Sequence, residues 1–296
     1  MTVCKIPFMT VAVPTTLDDA VRLLAEQPDA MLLAGGTDAM VEINDGHRRP
    51  DNLVIALNRV GDLRAWRHDT KRRTLTIGAG VTYTELMQEP IGRLAPALAE
   101  ASRTVGSPQI RNAGTLGGNL GTCSPAGDGL PVLSALDAQV RIVSATGERT
   151  ASVHDVMVGV KRTSLEPGEL IAEIVLPVLD GWQGYAKVGV RNAMVIAIAS
   201  ACLVVDAESR HISIALGSVG PTVVRCPDAE QQLAAAVDWA ASSVPPEALD
   251  EFAGLASSAS RPITDHRSTA DYRRHAVGVL GKRLARRAFT TEGGRT

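Results

Sequence analysis

Residues 32–38 read Leu32-Leu33-Ala34-Gly35-Gly36-Thr37-Asp38, a glycine pair between a short apolar strand, 31–34, and a helix expected over 37–43. Glycine accepts a positive φ and lets the backbone approach a ligand closely. The N–H groups of Gly35, Gly36, Thr37 and Asp38 would then be available to an anion at the helix start. A plain strand-to-helix turn accounts for the same letters. Upstream, Thr15 or Thr16 caps a helix carrying Leu17, Ala20, Val21, Leu24 and Ala25 at helical spacing, and Pro28 stops it. Downstream, residues 53–57 form a second buried strand. Strand, glycine turn, helix and strand open an α/β unit.

Further along, residues 66–79 read as a hairpin turning near Asp69-Thr70, followed by helices at 84–87 and 94–105. Residues 107–128 are rich in Gly, Pro and Asn and read as one long loop, a length that is usually functional. A helix at 130–136, a strand at 139–143 and a turn at 145–148 follow. Strands at 170–176, 185–190, 195–205 and 211–216 then give way to helices at 228–241, 247–257 and 269–289. A run of strands followed by a run of helices predicts a separate α+β domain. Pro, Asp and Gly cluster at 177–184, which divides the chain into 1–178 and 179–296. In the last helix, Tyr272, Ala276, Leu280, Leu284 and Ala288 share one face, expected to dock on the second domain.

The 296 residues are 45% hydrophobic and 21% charged, which excludes wholesale disorder. A net charge of -2 excludes a dedicated nucleic-acid binder, which needs a basic footprint. Residues 261–289 alone carry +6, either a solvated helix face or a contact for an acidic partner. Cys4, Cys123, Cys202 and Cys226 have no metal-clip spacing and are expected as reduced thiols. Residues 1–7 hold no apolar leader core, and the longest apolar run, 193–205, falls short of the about 18 residues of a membrane span. The chain is therefore expected to be cytoplasmic. Dinucleotide and P-loop fingerprints, paired metal-ligand histidines and a nucleophile elbow are all absent.

The second glycine cluster is Arg111-Asn112-Ala113-Gly114-Thr115-Leu116-Gly117-Gly118-Asn119-Leu120-Gly121, followed by Ser124-Pro125-Ala126-Gly127-Asp128. Glycines interspersed with hydroxyls and amides suit a backbone wrapped round a phosphorylated ligand. Asp128 cannot neutralise phosphate, but it can accept hydrogen bonds from sugar hydroxyls or a base edge.

The pairing of these two loops resembles the FAD-binding medium subunits of molybdenum hydroxylases, the xanthine dehydrogenase and carbon monoxide dehydrogenase family. Residues 105–112 (Val-Gly-Ser-Pro-Gln-Ile-Arg-Asn), 185–191 (Tyr-Ala-Lys-Val-Gly-Val-Arg), 216–221 and 265–273 match the family in order. The resemblance implies an α+β chain with two parts. The first is a two-part FAD-binding domain of the vanillyl-alcohol oxidase/p-cresol methylhydroxylase type. The second is a C-terminal domain with a three-stranded antiparallel sheet and a helical bundle. It implies that Leu32, Leu33, Ala34, Gly35, Gly36, Thr37, Asp38 and Ala39 cradle the FAD pyrophosphate and ribityl chain. Gly114, Thr115, Gly117, Gly118 and Asn119 would close from the other side, with Val105 lining the cleft. Asp128 would hold ribose or ribityl hydroxyls and Ile171 would pack near the flavin ring. Lys187 would sit at the polar edge of the ring and Tyr185 would shield a ring face. As plain structural residues the last three would be a core aliphatic, a strand-edge charge and a core aromatic.

No catalytic residue and no metal ligand is implied in this chain. The [2Fe–2S] centres would lie on a small iron–sulfur partner subunit and the molybdopterin on a large one, in a dimer of heterotrimers. FAD would collect their electrons for an external acceptor: NAD, a quinone or a small carrier. A Tyr185 shield would favour an acceptor other than NAD. The wording of the first loop leans toward an N-heterocycle or xanthine-type substrate over carbon monoxide. Two alternatives stand beside this reading: an autonomous FAD-dependent oxidase of the same superfamily, and a flavin-free assembly subunit.

Overall fold

The computed structural model describes residues 10–48 and 53–291. Cys4 and the reading of residues 1–7 lie outside them. The chain opens on a three-stranded parallel sheet in the order Val11–Ala12, Val54–Ala56, Met31–Leu33. Thr16 caps the helix Leu17–Glu26 by accepting from the Asp19 N–H, and Ala20 and Leu24 point into the core. A five-stranded antiparallel sheet follows, in the order Trp66–Asp69, Thr74–Gly78, Leu170–Pro177, Gln139–Ser144, Gly147–Ser152. Short helices fill the crossing between its strands. Among them are Tyr83–Leu86, opened by a reciprocal Thr82/Glu85 capping box, Pro96–Thr104 and Gly129–Ala135.

The predicted loop over 107–128 is instead largely helical. Pro108–Ala113 is capped by Ser107 and Leu116–Thr122 by Thr115. Seven residues with three glycines carry little helical propensity, so the cap and tertiary contacts hold this turn. The strand Gly147–Ser152, polar and unreadable by alternation, forms by pairing with Gln139–Ser144.

The second domain is a four-stranded antiparallel sheet: Gly181–Val188, Ala199–Asp206, His211–Gly217 and Val224–Arg225. The last, two-residue strand extends the predicted three-stranded meander. This sheet serves two cores. Tyr185, Cys202, Val204 and Ala215 join the core of the first domain. Ala201, Leu203, Val205, Ile214 and Leu216 face the helices Pro227–Ala236, Pro246–Ala259 and Ala270–Ala288. Burial on both faces explains why residues 199–205 read as an unbroken small and apolar run rather than an alternating one.

The last helix docks through Ala276, Val277, Leu280, Leu284 and Ala285. Tyr272, expected on that face, is 47% exposed, and Arg273 is buried in its stead. Arg273 donates to the carbonyls of Ile198 and Ser218 and to Asp265 at 2.7 Å. Burial works against ionisation of Asp265, but the N–H groups of Arg267 and Ser268 and the Arg273 guanidinium hold its carboxyl down at about 2. Much of the basic segment is spent inside the chain. Arg287 pairs with Glu100 at 2.5 Å and lies over the Trp182 ring, Arg274 pairs with Asp271, and Lys282 with Asp250. Among the described residues, Arg283 and Arg286 have no ion-pair partner.

Candidate functional site

The strand Met31–Leu33 runs parallel to Val54–Ala56, with Leu33 opposite Ala56, and ends directly in Ala34-Gly35-Gly36. Gly36 adopts φ +72, which a side chain would strain. Thr37 and Asp38 lead into the short helix Ala39–Asn44, and the Asp38 side chain makes no capping hydrogen bond. Among the described residues, the backbone N–H groups of Gly35, Gly36, Thr37 and Asp38 have no hydrogen-bond partner. Leu32, Leu33, Ala34, Thr37 and Ala39 are half-buried and Asp38 is exposed.

The two glycine clusters touch. A Cβ on Gly35 would lie 1.8 Å from the Ala113 carbonyl oxygen and 3.0 Å from Gly114 Cα. A Cβ on Gly118 would sit 3.5 Å from the Ala34 methyl and 2.9 Å from Thr115 Oγ1. The second cluster is wired inward. Tyr83 N–H donates to the Gly114 carbonyl, Leu116 N–H to Val81 and Gly117 N–H to Ala79 at 2.9 Å. Gly118 N–H donates to Thr115 Oγ1 and Asn119 N–H to the Thr115 carbonyl, each at 3.0 Å. The backbone donors of residues 116–119 are therefore already satisfied, whereas those of residues 35–38 are not, among the described residues. Asn119 Oδ1 accepts from the Gly129 N–H at 3.2 Å.

Val105 is half-buried, and its carbonyl accepts from Arg111 Nη1 at 2.9 Å. Ile171 is 7% exposed in the strand Leu170–Pro177. Its neighbour Ala172 accepts from the Ala79 N–H, so Ile171 lies one hydrogen bond from the residue that anchors Gly117.

Asp128, Tyr185 and Lys187 lie together, but differently from the expectation. The Tyr185 ring is 4% exposed within the first core, and its hydroxyl donates to Asp128 Oδ1 at 2.7 Å. It is a core aromatic rather than the expected shield, so Tyr185 gives no reason to disfavour NAD as acceptor. Lys187 Nζ donates to Asp128 Oδ2 at 2.8 Å and to the carbonyls of Thr104 at 2.9 Å and Val195 at 3.1 Å. An ammonium has three donors, and all three are spent, so Lys187 has none left for a flavin edge. Burial pushes the Asp128 carboxyl up, against the pull of Lys187. Burial and then the Asp128 charge push the Tyr185 phenol up.

Sequence reasoning missed Ala79, Val81 and Thr82, which anchor the second cluster. The Thr82-x-x-Glu85 capping box was readable as a pattern; the carbonyls of Ala79 and Val81 leave no trace in residue type. Glu100 was also missed. It accepts from the Tyr185 N–H at 2.7 Å and tethers the second domain.

A β-α unit ending in four unspent amides around a positive-φ glycine, braced by a second glycine-rich turn, suits the diphosphate of a dinucleotide. Comparison with known proteins agrees. Residues 7–179 match the family described as FAD binding domain in molybdopterin dehydrogenase, and residues 185–288 the CO dehydrogenase flavoprotein C-terminal domain. The chain belongs to this family: it is an FAD-binding oxidoreductase subunit of the molybdenum hydroxylases. It is 34% identical to the nicotinate dehydrogenase FAD-subunit of Eubacterium barkeri, covering 75% of this chain and 78% of that protein. It is 31% identical to the carbon monoxide dehydrogenase medium chain of Hydrogenophaga pseudoflava, covering 93% and 95%. A carbon monoxide dehydrogenase structure from Oligotropha carboxidovorans superposes with a TM-score of 0.85 at 30% identity, covering 95% of this chain and 97% of that one. Among the described residues no helix is long and apolar enough to cross a membrane.

Proposed function

We propose that this chain is the electron outlet of a heteromeric hydroxylase. It receives electrons from [2Fe–2S] centres on a small partner subunit and passes them to an external acceptor. Substrate is oxidised on a separate molybdopterin subunit. The observation that carries the reading is the set of four amides at Gly35–Asp38, unpartnered among the described residues, beside Gly36 at φ +72. They would hold the diphosphate. Leu32, Leu33, Ala34 and Ala39 would wall its adenosine and ribityl ends from one side. Gly114, Thr115, Gly117, Gly118 and Asn119 would do so from the other, with Val105 and Ile171 as apolar lining. Bound FAD accepts electrons singly or in pairs, which is the chemistry an outlet needs. The chain's own residues exclude water and fix position; none is a nucleophile or an acid–base pair.

We further propose that the FAD-binding unit ends at residue 178, that assembly is a dimer of heterotrimers, and that the compartment is the reducing cytoplasm. In support of the last, Cys123, Cys202 and Cys226 are all buried free thiols. For the substrate we favour an N-heterocycle, as in the nicotinate dehydrogenase relative.

The test is the purified chain loaded with FAD. It should pass electrons from a reduced donor to a dye and oxidise no organic substrate alone, while the native complex carries iron and molybdenum. Substrate turnover by the isolated chain would make it an autonomous oxidase. A chain that takes up no flavin would be an assembly subunit. Turnover of nicotinate-like rings against carbon monoxide by the complex decides the substrate class.

A further inference from the structure

We propose that Lys187 is a positioning residue for the flavin loop, acting from the second domain through Asp128, the Gly129 amide and the side chain of Asn119. The inference rests on the FAD reading above. The links are all short. Lys187 Nζ reaches Asp128 Oδ2 at 2.8 Å, and the Gly129 N–H, one residue on, donates to Asn119 Oδ1 at 3.2 Å. The two charged side chains are 7% and 9% exposed, so neither relaxes into water. A backbone N–H can only donate. Asn119 must therefore present its carbonyl oxygen to Gly129, which turns its NH2 group the other way. Among the described residues that NH2 group has no hydrogen-bond partner. Asn119 stands in the Leu116–Thr122 helix, one position beyond Gly118, which abuts Ala34 of the first loop.

The same ammonium also holds the Thr104 and Val195 carbonyls, and Glu100 holds the Tyr185 N–H. The strand Gly181–Val188 is thus fixed on the FAD-binding domain at two points. A buried carboxylate stripped of its cation is strongly disfavoured, so without Lys187 the Asp128 segment must shift or take up a proton. A shift of that segment moves the adjoining Gly129 N–H and, through it, the Asn119 side chain. The structure makes the second domain part of the cofactor site although Lys187 has no donor to offer the cofactor.

A double-mutant cycle on the full chain freed of flavin tests this, with FAD affinity read by quenching of flavin fluorescence. Lys187→Met and Asn119→Ala should each weaken FAD binding about tenfold, the equivalent of about 1.4 kcal/mol. The double variant should bind no worse than Asn119→Ala alone, because both remove the same link. A second readout needs no flavin: the Asn119 side-chain amide resonances of the flavin-free chain should shift in Lys187→Met. Where Lys187→Met folds poorly, Lys187→Gln, which removes the charge but keeps a polar side chain, takes its place in both measurements. Multiplicative losses in the double variant, or unmoved Asn119 resonances, would overturn the proposal. A wild-type chain that binds no FAD but still shows the Asn119 shift would sink the FAD reading and leave the link standing.

Discussion

Among the described residues, the backbone donors of four consecutive residues around Gly35–Gly36 are unspent; around Gly117–Gly118 the donors of residues 116–119 all find partners. Both stretches read as glycine pairs within two residues of a threonine. In the first, Gly36 uses its freedom of φ and so turns the chain between strand and helix with its N–H groups outward. In the second, the missing side chain matters for packing, since a Cβ on Gly117 would meet the Ala79 Cβ at 2.4 Å and its carbonyl oxygen at 2.7 Å. On the proposed function the first pair would present a ligand surface, and the second is packed as a wedge beneath it. Gly35 belongs by position to the first pair and by function to the wedge, because its own face is pressed on the Ala113 carbonyl.

Substitutions at the wedge positions should have the largest effect, and on folding. Gly35→Val would drive a side chain into the Ala113 carbonyl, and Gly117→Val into the backbone of Ala79. Backbone cannot rotate aside as a side chain does, so each should cost at least about 3 kcal/mol, the upper end of overpacking penalties. Thermal unfolding of the purified variants checks this. A Gly117→Val variant that melts like the wild type would end the distinction between wedge and ligand surface.

Gly36→Ala should divide the two functions. A Cβ there would meet Met40 Cγ at 3.3 Å and Leu33 Cδ1 at 3.5 Å, both on movable side chains, but the residue is held at φ +72. The left-handed conformation costs a non-glycine residue about 1–2 kcal/mol. The chain should fold, melt a few degrees lower and bind FAD about tenfold more weakly as the turn relaxes and its amides lose alignment. Titration of FAD into the flavin-free variant measures this. Unchanged affinity would mean that the four amides do not hold the cofactor.

How far these differences could be read beforehand follows from where the information lies. The first pair is legible because its neighbours are local: an apolar strand on one side and a helix on the other, with Thr16, one of the two threonines expected as a cap, capping the preceding helix. The second was read as loop because its helix depends on the Thr115 cap and on carbonyls of Ala79 and Val81, more than thirty residues away. Lys187 looked like a cation for the flavin because a sequence gives its charge and not its partners; Thr104, Asp128 and Val195 come from three separate segments. Tyr272 and Arg273 exchanged roles for a related reason. The apolar stripe predicted tyrosine inward, but Asp265 and two carbonyls make burial of the arginine favourable one position further on.

Thr115→Val should give the smallest effect and the finest test of the comparison. Valine keeps the shape of threonine and removes the hydroxyl that accepts from the Gly118 N–H at 3.0 Å. Loss of such a cap costs about 1 kcal/mol. The freed Gly118 amide lies in a half-buried position beside Ala34 and would become a further unspent donor next to the first loop. If the second cluster only braces the first, the variant should lose a few degrees of thermal stability and bind FAD within about threefold of the wild type. If the Gly118 amide, once released, reaches the cofactor, affinity should rise while stability falls. Opposite movement of these two quantities would show that the capping hydroxyl withholds a donor from the ligand, and the boundary between wedge and ligand surface would then run through Gly118 itself.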